Sequence, residues 1–283
     1  MLEKNGAQVL CDCLQREGVE VVFGIPGVHN VYLFEALRRA KIRVVIATHE
    51  QAVGFMANGY SRATGKTGVF VTVPGPGFTN AFTSIAESLL DSCAVIGIVT
   101  GTRNDLAKEF QLHEIHQVDL ARPIVKQVYQ VSKASQVAEN ARTAFRLAQS
   151  GEPGPVILEI AANVYWERAP FTQSETKQTL EEPGRDEDAN IHQVVALIKQ
   201  AKHIGLFVGQ GALDAAEQIT QIAEWLVAPV ATTVSGRGCL REDHPLAVDF
   251  RWGKHGVELT NQVFAKCDLV IAVGAKFSEN GTA

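Results

Sequence analysis

Three short loops in the sequence carry residue types that suit ligand binding and acid–base chemistry. The first loop, residues 24–27, and the third, residues 74–80, are rich in Gly and Pro, so their backbones can lie close to a flat ligand. The second loop, residues 48–51, contains one carboxylate, Glu50, with apolar residues on both sides along the chain. Glu50 is therefore a candidate catalytic acid, although an acid at the start of a helix also fits a purely structural role opposite the helix dipole.

The pattern around these loops predicts that they lie together. An apolar, strand-like run precedes each loop, and a helical pattern follows each one. The strand-like runs are residues 20–23, 44–47 and 69–73, and the helical segments are residues 31–39, 51–64 and 79–90. In a parallel sheet the carboxyl ends of neighbouring strands meet at one edge, where ligands bind. The run at 44–47 is apolar throughout, which is typical of a strand buried on both faces.

The alternation of strands and helices continues and later restarts, which predicts an α/β protein with two doubly wound parallel-sheet domains. We expect the first domain at residues 1–169 and a second, Rossmann-like domain at residues 189–283. Residues 170–188 are polar and acidic and are interpreted as a linker. Few residues follow the strand pattern at 269–273, so we expect the second domain to be incomplete and this strand to form an exposed edge.

The composition excludes several classes of protein. The chain has 283 residues, of which 46% are hydrophobic, and its formal net charge is −5 without a basic run, so nucleic acid is not an expected partner. No apolar run approaches the roughly 18 residues of a membrane span, and the first residues lack the apolar core of a signal peptide. The five Cys are scattered, which is typical of reduced thiols and favours the cytoplasm.

Two weaker motifs leave alternatives open. Gly209-Gln210-Gly211 follows a strand pattern, as a dinucleotide-binding loop does, but Asp214 stands where the third Gly of that motif belongs. A tight turn is the simpler interpretation, and an NAD-dependent oxidoreductase is kept as an alternative function. His113 and His116 have a spacing that could hold a metal, yet loop histidines more often make hydrogen bonds, so we predict no metal site from this chain.

The ordered combination of several segments resembles the thiamine-diphosphate-dependent decarboxylase and carboligase family, especially its acetolactate synthase and benzaldehyde lyase-like branch. The resemblance extends over nearly the whole chain and is most specific in the first domain. The segments that carry it are Val22-Phe23-Gly24-Ile25-Pro26-Gly27, residues 49–65, Pro74-Gly75-Pro76-Gly77-Phe78-Thr79-Asn80, Phe110-Gln111, residues 123–126 and residues 151–156.

The resemblance implies that the first domain binds the aminopyrimidine ring of thiamine diphosphate and that Glu50 hydrogen-bonds the N1′ atom of this ring. A surrounding apolar shell would raise the pKa of Glu50 and make it feasible to share a proton with a ring nitrogen. The residues that match the family's pyrimidine pocket are Pro26, Gly27, Val73, Pro76 and Asn80.

The resemblance also implies catalytic roles for His29, Gln111 and His113, which match positions near the substrate in relatives. His29 is either a proton relay or only a residue at the start of a helix. The family's Phe-Gln-Glu is Phe110-Gln111-Leu112 here, a departure that leaves open the identity of the 2-oxo acid and the choice between decarboxylase and carboligase. Lys126 matches a lysine of the synthase branch and fits a solvated residue at a strand end equally well.

The family has a third domain, which binds Mg²⁺ and the cofactor's diphosphate through a Gly-Asp-Gly…Asn signature that these 283 residues lack. We therefore expect the N-terminal part of a longer or split lyase or transferase, inactive alone, that forms a homodimer or homotetramer or joins a separate diphosphate-binding chain. Some relatives hold FAD in the second domain, at positions that match residues 209–211, 253–256 and 274–277. A catalytically silent binding or regulatory module of the same fold is the other alternative.

Overall fold

The computed structural model describes residues 2–171 and 187–282, and the chain divides into two compact units, residues 1–180 and 181–283. The division lies inside the predicted linker at 170–188, of which residues 172–186 fall outside the described ranges. The first described range ends in a strand at Phe171, and the second begins with a helix at Glu187.

The first unit contains a parallel sheet, as the sequence predicts. Its strands are β1 (Leu2–Asn5), β2 (Val21–Gly24), β3 (Arg43–Ile46), β4 (Gly68–Thr72), β5 (Val95–Gly101), β6 (Gln127–Val131), β7 (Pro155–Ala161) and β8 (Arg168–Phe171). Six of them form the parallel sheet in the order β3-β2-β4-β5-β7-β6, and β1 pairs with β8 in a separate antiparallel sheet. The antiparallel pair is missing from the sequence prediction because its strands, Leu-Glu-Lys-Asn and Arg-Ala-Pro-Phe, contain no strand-like apolar run.

Helices cover both faces of the six-stranded sheet. They are α1 (Gly6–Arg16), α2 (Val31–Arg39), α3 (Glu50–Thr64), α4 (Pro76–Thr79), α5 (Phe82–Leu90), α6 (Gln117–Ala121) and α7 (Val137–Gln149). Helices α1, α2 and α7 contribute to one hydrophobic core, whereas α3 and α5 contribute to another. Every residue of the central strands β4 and β5 is buried between these layers. The doubly wound α/β fold predicted from the sequence is thereby confirmed.

Two local predictions are wrong. The run at 44–47 is not buried on both faces, because β3 is the outermost strand of the sheet and Ile46 is 63% exposed. The order of the strands is set by the whole fold, so an apolar run alone does not reveal an edge position. The helix predicted at 79–90 is divided into α4 and α5, and Asn80 is the residue that ends α4.

The second unit contains a smaller parallel sheet. Its elements are α8 (Glu187–Gln200), β9 (Ile204–Val208), α9 (Ala216–Leu226), β10 (Val230–Thr232), β11 (Ala247–Phe250), α10 (Glu258–Phe264), β12 (Leu269–Val273) and α11 (Glu279–Thr282). The strand order is β11-β10-β9-β12. Strand β11 is missing from the prediction because the charged residue Asp249 interrupts its apolar sequence, Ala-Val-Asp-Phe. Strand β12 pairs with β9, and within the described residues no strand lies along its other side.

The cysteine thiols of α1 belong to the core. Burial raises the pKa of Cys11 to about 12 and that of Cys13 to about 11, so both thiols are protonated at neutral pH. Both side chains are buried although they are two residues apart, because α1 contacts α2 on one side and α7 on another.

Across residues 2–171 and 187–282, no helix is long and apolar enough to traverse a bilayer.

Candidate active site

Three loops meet at the carboxyl edge of the six-stranded sheet: two are rich in glycine, and the third contains Glu50. They meet because β3, β2 and β4 are parallel neighbours. Glu50 is the first residue of α3. The preceding residue, His49, has an extended backbone, and its Nδ1 accepts a hydrogen bond from the Gln51 backbone N–H at 3.1 Å. The Glu50 carboxylate therefore lies in the first turn of a capped helix, where the helix dipole stabilises negative charge.

A hydrogen bond joins Glu50 to the third loop. Asn80 donates from Nδ2 to Glu50 Oε2 at 3.0 Å. Glu50 is half-buried and Asn80 is exposed. The structure thus brings into direct contact two residues that the sequence analysis assigned to the same site, although they are 30 positions apart in the chain.

The apolar shell predicted around Glu50 is only half present. Val53 is fully buried against the sheet, but Phe55 is 40% exposed. Helical geometry explains the exposure of Phe55, which is two positions after Val53 and therefore lies on another face of α3. In this chain Glu50 therefore has a buried side, towards the sheet, and an accessible side.

Two glycines allow the first and third loops to close around Val73. A Cβ atom at Gly27 would lie 2.6 Å from Val73 Cγ1, and a Cβ atom at Gly77 would lie 2.5 Å from Val73 Cγ2. Larger residues at either position would push the loops apart. The Cβ position of Gly77 is also 3.4 Å from Glu50 Oε1, so this glycine borders the carboxylate directly. The two prolines of the predicted pocket, Pro26 and Pro76, are exposed at the same edge.

Asn30 is a site residue that the sequence analysis missed. Its side chain is completely buried, its Oδ1 accepts a hydrogen bond from the Gly27 N–H at 2.7 Å, and its Nδ2 donates to the Ile25 carbonyl at 3.2 Å. These two bonds fix the shape of the first loop. An Asn just before a helical pattern is a recognisable signal for a capping residue, but here the side chain turns back to the loop and makes no hydrogen bond to α2.

The loop that contains Gln111 and His113 folds against the third loop. The Gln111 side chain is engaged within its own loop, where it accepts from the Arg103 N–H at 3.1 Å and donates to the Arg103 carbonyl at 2.7 Å. His113 has a φ of 64°, and a Cβ atom at Gly75 would lie 2.6 Å from its carbonyl oxygen. Gln111 is therefore placed to shape the loop, whereas His113 lies against the site.

His29 and His113 form a pair beside these loops. Their ring centroids are 5.7 Å apart. Burial lowers the pKa of His29, the neighbouring His113 lowers it further, and a hydrogen bond to the Leu112 backbone partly opposes these effects. His113 Nδ1 is buried and has no hydrogen-bond partner within the described residues. Burying a polar nitrogen without a partner costs free energy, and a hydrogen bond from a polar ligand group to this nitrogen would offset that cost.

We expect the pKa of His29 to lie below 6.5 and to rise when His113 is replaced with Asn, because the second ring contributes to the lowering. Since the folded-state pKa is lowered, the unfolded chain takes up the proton first, and His29 decreases the free energy of unfolding as the pH falls below about 6.5. NMR titration of the ring protons measures the pKa. His244→Asn in the second unit is the control and should leave it unchanged, and an unchanged pKa in His113→Asn would contradict the pairing.

Lys126 has a structural role away from this edge. It lies just before β6, and its Nζ donates hydrogen bonds to the carbonyl oxygens of Leu147 at 2.7 Å, Ser150 at 2.7 Å and Glu152 at 2.8 Å. These carbonyls belong to the end of α7 and the turn that follows it. Burial lowers the pKa of Lys126. The side chain therefore caps a helix, and it is neither a solvated strand-end lysine nor part of the loop cluster around Glu50.

The Lys126→Met variant is expected to lower the free energy of unfolding by about 2–4 kcal/mol, because three carbonyls lose a charged donor. Urea denaturation measures this change. Lys66→Met is the matched control, since Lys66 forms an exposed ion pair with Glu20 and such pairs contribute little. Equal losses in the two variants would contradict the capping role.

The glycine turns of the second unit pack against each other. A Cβ atom at Gly209 would lie 2.1 Å from the Gly274 carbonyl oxygen, and one at Gly274 would lie 2.5 Å from the Ala212 backbone nitrogen. These glycines thus serve backbone packing between the turns after β9 and β12. A 3-10 helix, Gln210–Ala215, lies between this turn and α9, which begins at Ala216, so the turn does not lead directly into an α-helix. Both features favour the tight-turn interpretation over an NAD-binding loop.

A cavity of about 470 Å³ in the second unit is bordered by β10 and β11. Three charged residues line it: Arg237, Glu242 and Asp249. Arg237 is paired with Glu242, and its guanidinium lies 4.9 Å from the ring centroid of Phe250. None of the segments at which the sequence analysis placed FAD contacts, residues 209–211, 253–256 and 274–277, lines this cavity.

The fold and the site define a doubly wound α/β protein that presents a helix-start carboxylate beside two glycine-rich loops. Two family models match the chain: "Thiamine pyrophosphate enzyme, N-terminal TPP binding domain" over residues 4–120 and "Thiamine pyrophosphate enzyme, central domain" over residues 191–283. The chain belongs to the thiamine pyrophosphate enzyme family, and the resemblance inferred from its sequence is confirmed.

Similar proteins are named as acetolactate synthases. The chain is 32% identical, over 98% of its length, to the probable acetolactate synthase large subunit of Methanocaldococcus jannaschii, of which it covers 48%. It is 34% identical, over 97% of its length, to the acetolactate synthase isozyme 1 large subunit of Escherichia coli, of which it covers 49%. The chloroplastic acetolactate synthase of Arabidopsis thaliana is 32% identical over 99% of the chain and 42% of the relative. The chain spans about half the length of these curated relatives.

Proposed function

We propose that this chain forms the pyrimidine-binding part of a thiamine diphosphate-dependent lyase or transferase, which decarboxylates a 2-oxo acid and joins the product to a second carbonyl compound. The observation that carries this proposal is the contact between Glu50 and Asn80 at the edge where two glycine-rich loops meet. The relatives named acetolactate synthase, which align with nearly the whole chain, support the same reaction.

The residues at this edge fit the aminopyrimidine ring of the cofactor. Because Gly77 has no side chain, the face of Glu50 next to Oε1 stays open. Glu50 would share a proton between Oε1 and the ring nitrogen N1′, while Asn80 holds Oε2 in place. When bound, thiamine diphosphate supplies a carbon nucleophile and an electron sink for decarboxylation. The remaining walls of the ring site would be Pro26, Gly27, Val73 and Pro76.

The diphosphate and Mg²⁺ would be held by a further domain. A diphosphate requires a cation with oxygen ligands. The sequence has no Gly-Asp-Gly, and residues 2–171 and 187–282 contain no group of three or more His, Cys, Asp or Glu that could hold a metal. We propose that a diphosphate-binding domain completes the site, either on a separate chain or within a homodimer or homotetramer. Buried free cysteines fit the reducing cytoplasm as the location.

We propose that His29 and His113 face the substrate. The lowered pKa of His29 keeps its ring neutral near pH 7, so the ring can accept a proton at the open edge of the site and return it afterwards. The Nδ1 atom of His113, which lacks a partner in the described structure, would bind the substrate's carboxylate or carbonyl oxygen. Gln111 would act indirectly, by holding the loop through the Arg103 backbone.

The aminopyrimidine fragment of the cofactor tests the proposed half-site without the further domain. Titration of the ¹⁵N-labelled chain with 4-amino-2,5-dimethylpyrimidine should shift NMR signals of residues 24–27, 49–51 and 73–80. Glu50→Gln should weaken this binding, and 2,5-dimethylpyrimidine, which lacks the amino group, should bind less well. Signal changes confined to other residues, or no binding at millimolar fragment, would contradict the proposal.

Calorimetric titration tests the need for the further domain. The chain alone should bind thiamine diphosphate with Mg²⁺ only weakly, because its described residues contain no cluster that could hold the metal of the diphosphate. Micromolar binding with turnover by these 283 residues alone would overturn this part of the proposal. Fragment binding combined with no turnover in the completed enzyme would instead support a catalytically silent module.

A further inference from the structure

Gln117 connects the third loop to the centre of the sheet. It is the first residue of α6 and is only 3% exposed. Its Oε1 accepts a hydrogen bond from the Gly75 N–H at 3.1 Å, and its Nε2 donates to Glu159 Oε1 at 2.7 Å and to the Thr100 carbonyl at 3.2 Å. One buried amide therefore joins the loop beside Glu50 to the ends of β5 and β7.

Glu159 is the closer of the two acceptors that set which way the Gln117 amide points, at 2.7 Å from Nε2 against 3.2 Å for the Thr100 carbonyl. A carboxylate only accepts hydrogen bonds, so it must face the Nε2 end of the amide. The other oxygen of Glu159 accepts from Gln130 Nε2 at 2.8 Å, which holds the carboxylate from its second side. With Nε2 directed at Glu159, the Oε1 atom of Gln117 is left to accept the N–H of Gly75.

The loop depends on this hydrogen bond. Gly75 has a φ of 63° and a ψ of −119°, a conformation that residues with a side chain rarely adopt. The next residue, Pro76, has no N–H group, so Gly75 provides the last backbone donor before α4. Two residues further, Gly77 borders Glu50 Oε1, and Asn80 donates to Glu50 Oε2. A shift of Gly75 would therefore move both groups that contact Glu50.

We propose that Gln117 and Glu159 are positioning residues for Glu50: Glu159 orients the Gln117 amide, and this amide holds Gly75 so that Gly77 and Asn80 lie against the carboxylate. This inference rests on the function proposed above for Glu50. The coupling between Glu159 and Gly75 can be measured without any cofactor, so it can fail or stand separately from that function.

Hydrogen exchange of the Gly75 amide in the full 283-residue chain tests the coupling. In Gln117→Leu, exchange at Gly75 should become at least tenfold faster relative to core amides of β4 and β5. The same variant should bind the aminopyrimidine fragment about tenfold more weakly. Gln149→Leu is the matched control, since Gln149 donates to Thr67 beside the opposite edge of the sheet, and it should change neither quantity.

A pair of substitutions at Glu159 separates orientation from packing. Glu159→Gln keeps an acceptor oxygen for Gln117 and should leave Gly75 exchange within about threefold of wild type. Glu159→Leu removes the closer acceptor and leaves only the Thr100 carbonyl to hold Nε2, so exchange at Gly75 should speed up in the same direction as in Gln117→Leu, even if Gln117→Leu itself does not fold. A general loss of stability with unchanged relative exchange at Gly75 would overturn the proposal. If Gly75 responds as expected but the wild-type chain binds no fragment, the proposed function fails and the coupling stands.

Discussion

In the enzyme completed by a diphosphate-binding domain, Glu50→Gln is expected to lower kcat by about 10²–10⁴-fold, the usual contribution of a positioned proton-transfer group. An amide cannot give up or take the proton that Glu50 would share with the ring nitrogen. It can still accept the hydrogen bond from Asn80, so the loop contact should survive. Steady-state kinetics with a 2-oxo acid measure kcat, and thermal denaturation measures the fold.

The control for this substitution is Glu20→Gln. Glu20 lies before β2 and forms an exposed ion pair with Lys66, so its loss should leave kcat within about twofold of wild type. A Glu50→Gln enzyme that keeps normal melting behaviour and nearly normal kcat would remove Glu50 from the proposed mechanism. Such a result would leave the structural alternative, an acid that only interacts with the helix dipole.

The position of Glu50 could be predicted from the sequence because it depends on local signals. An apolar run precedes Glu50 and a helical pattern follows it. The glycine-rich loops after β2 and β4 are also recognisable, each from a few neighbouring residues. Parallel pairing of β3, β2 and β4 then brings these loops to one edge. The same reasoning could not show that β3 is the outermost strand, because strand order arises from pairing between distant segments.

Gln117 could not be predicted for a related reason. Its partners Gly75 and Glu159 are each 42 residues away along the chain, in opposite directions. Asn30, by contrast, acts on Gly27, only three residues away, and a turn signal could have suggested it. Residues that act through their own loop, such as Asn30, leave a local signal in the sequence even though this one was missed, whereas residues that join loops through the core leave none.

The second large expected effect concerns the packing of α3 against α5. This packing matters for the site because α3 contains Glu50. Gly54 lies one turn after Glu50, and a Cβ atom there would meet Ser84 Oγ at 1.9 Å and Ser84 Cβ at 2.8 Å. Ser84 is fully buried in α5 and donates to the Ala81 carbonyl at 2.7 Å, so it has no room to move aside. Gly54→Ala should therefore push α3 away from α5.

We expect Gly54→Ala to lower the free energy of unfolding by about 2 kcal/mol, as is typical when a packed core receives an extra methyl group. Gly59→Ala, in the same helix, is the matched control, because nothing lies within 4 Å of its Cβ position. There the alanine should raise the free energy of unfolding by up to about 1 kcal/mol through its higher helix propensity. Urea denaturation of both variants measures the contrast. Because α3 also positions Glu50, Gly54→Ala alone should weaken binding of the aminopyrimidine fragment, and equal behaviour of the two variants would contradict close packing of α3 on α5.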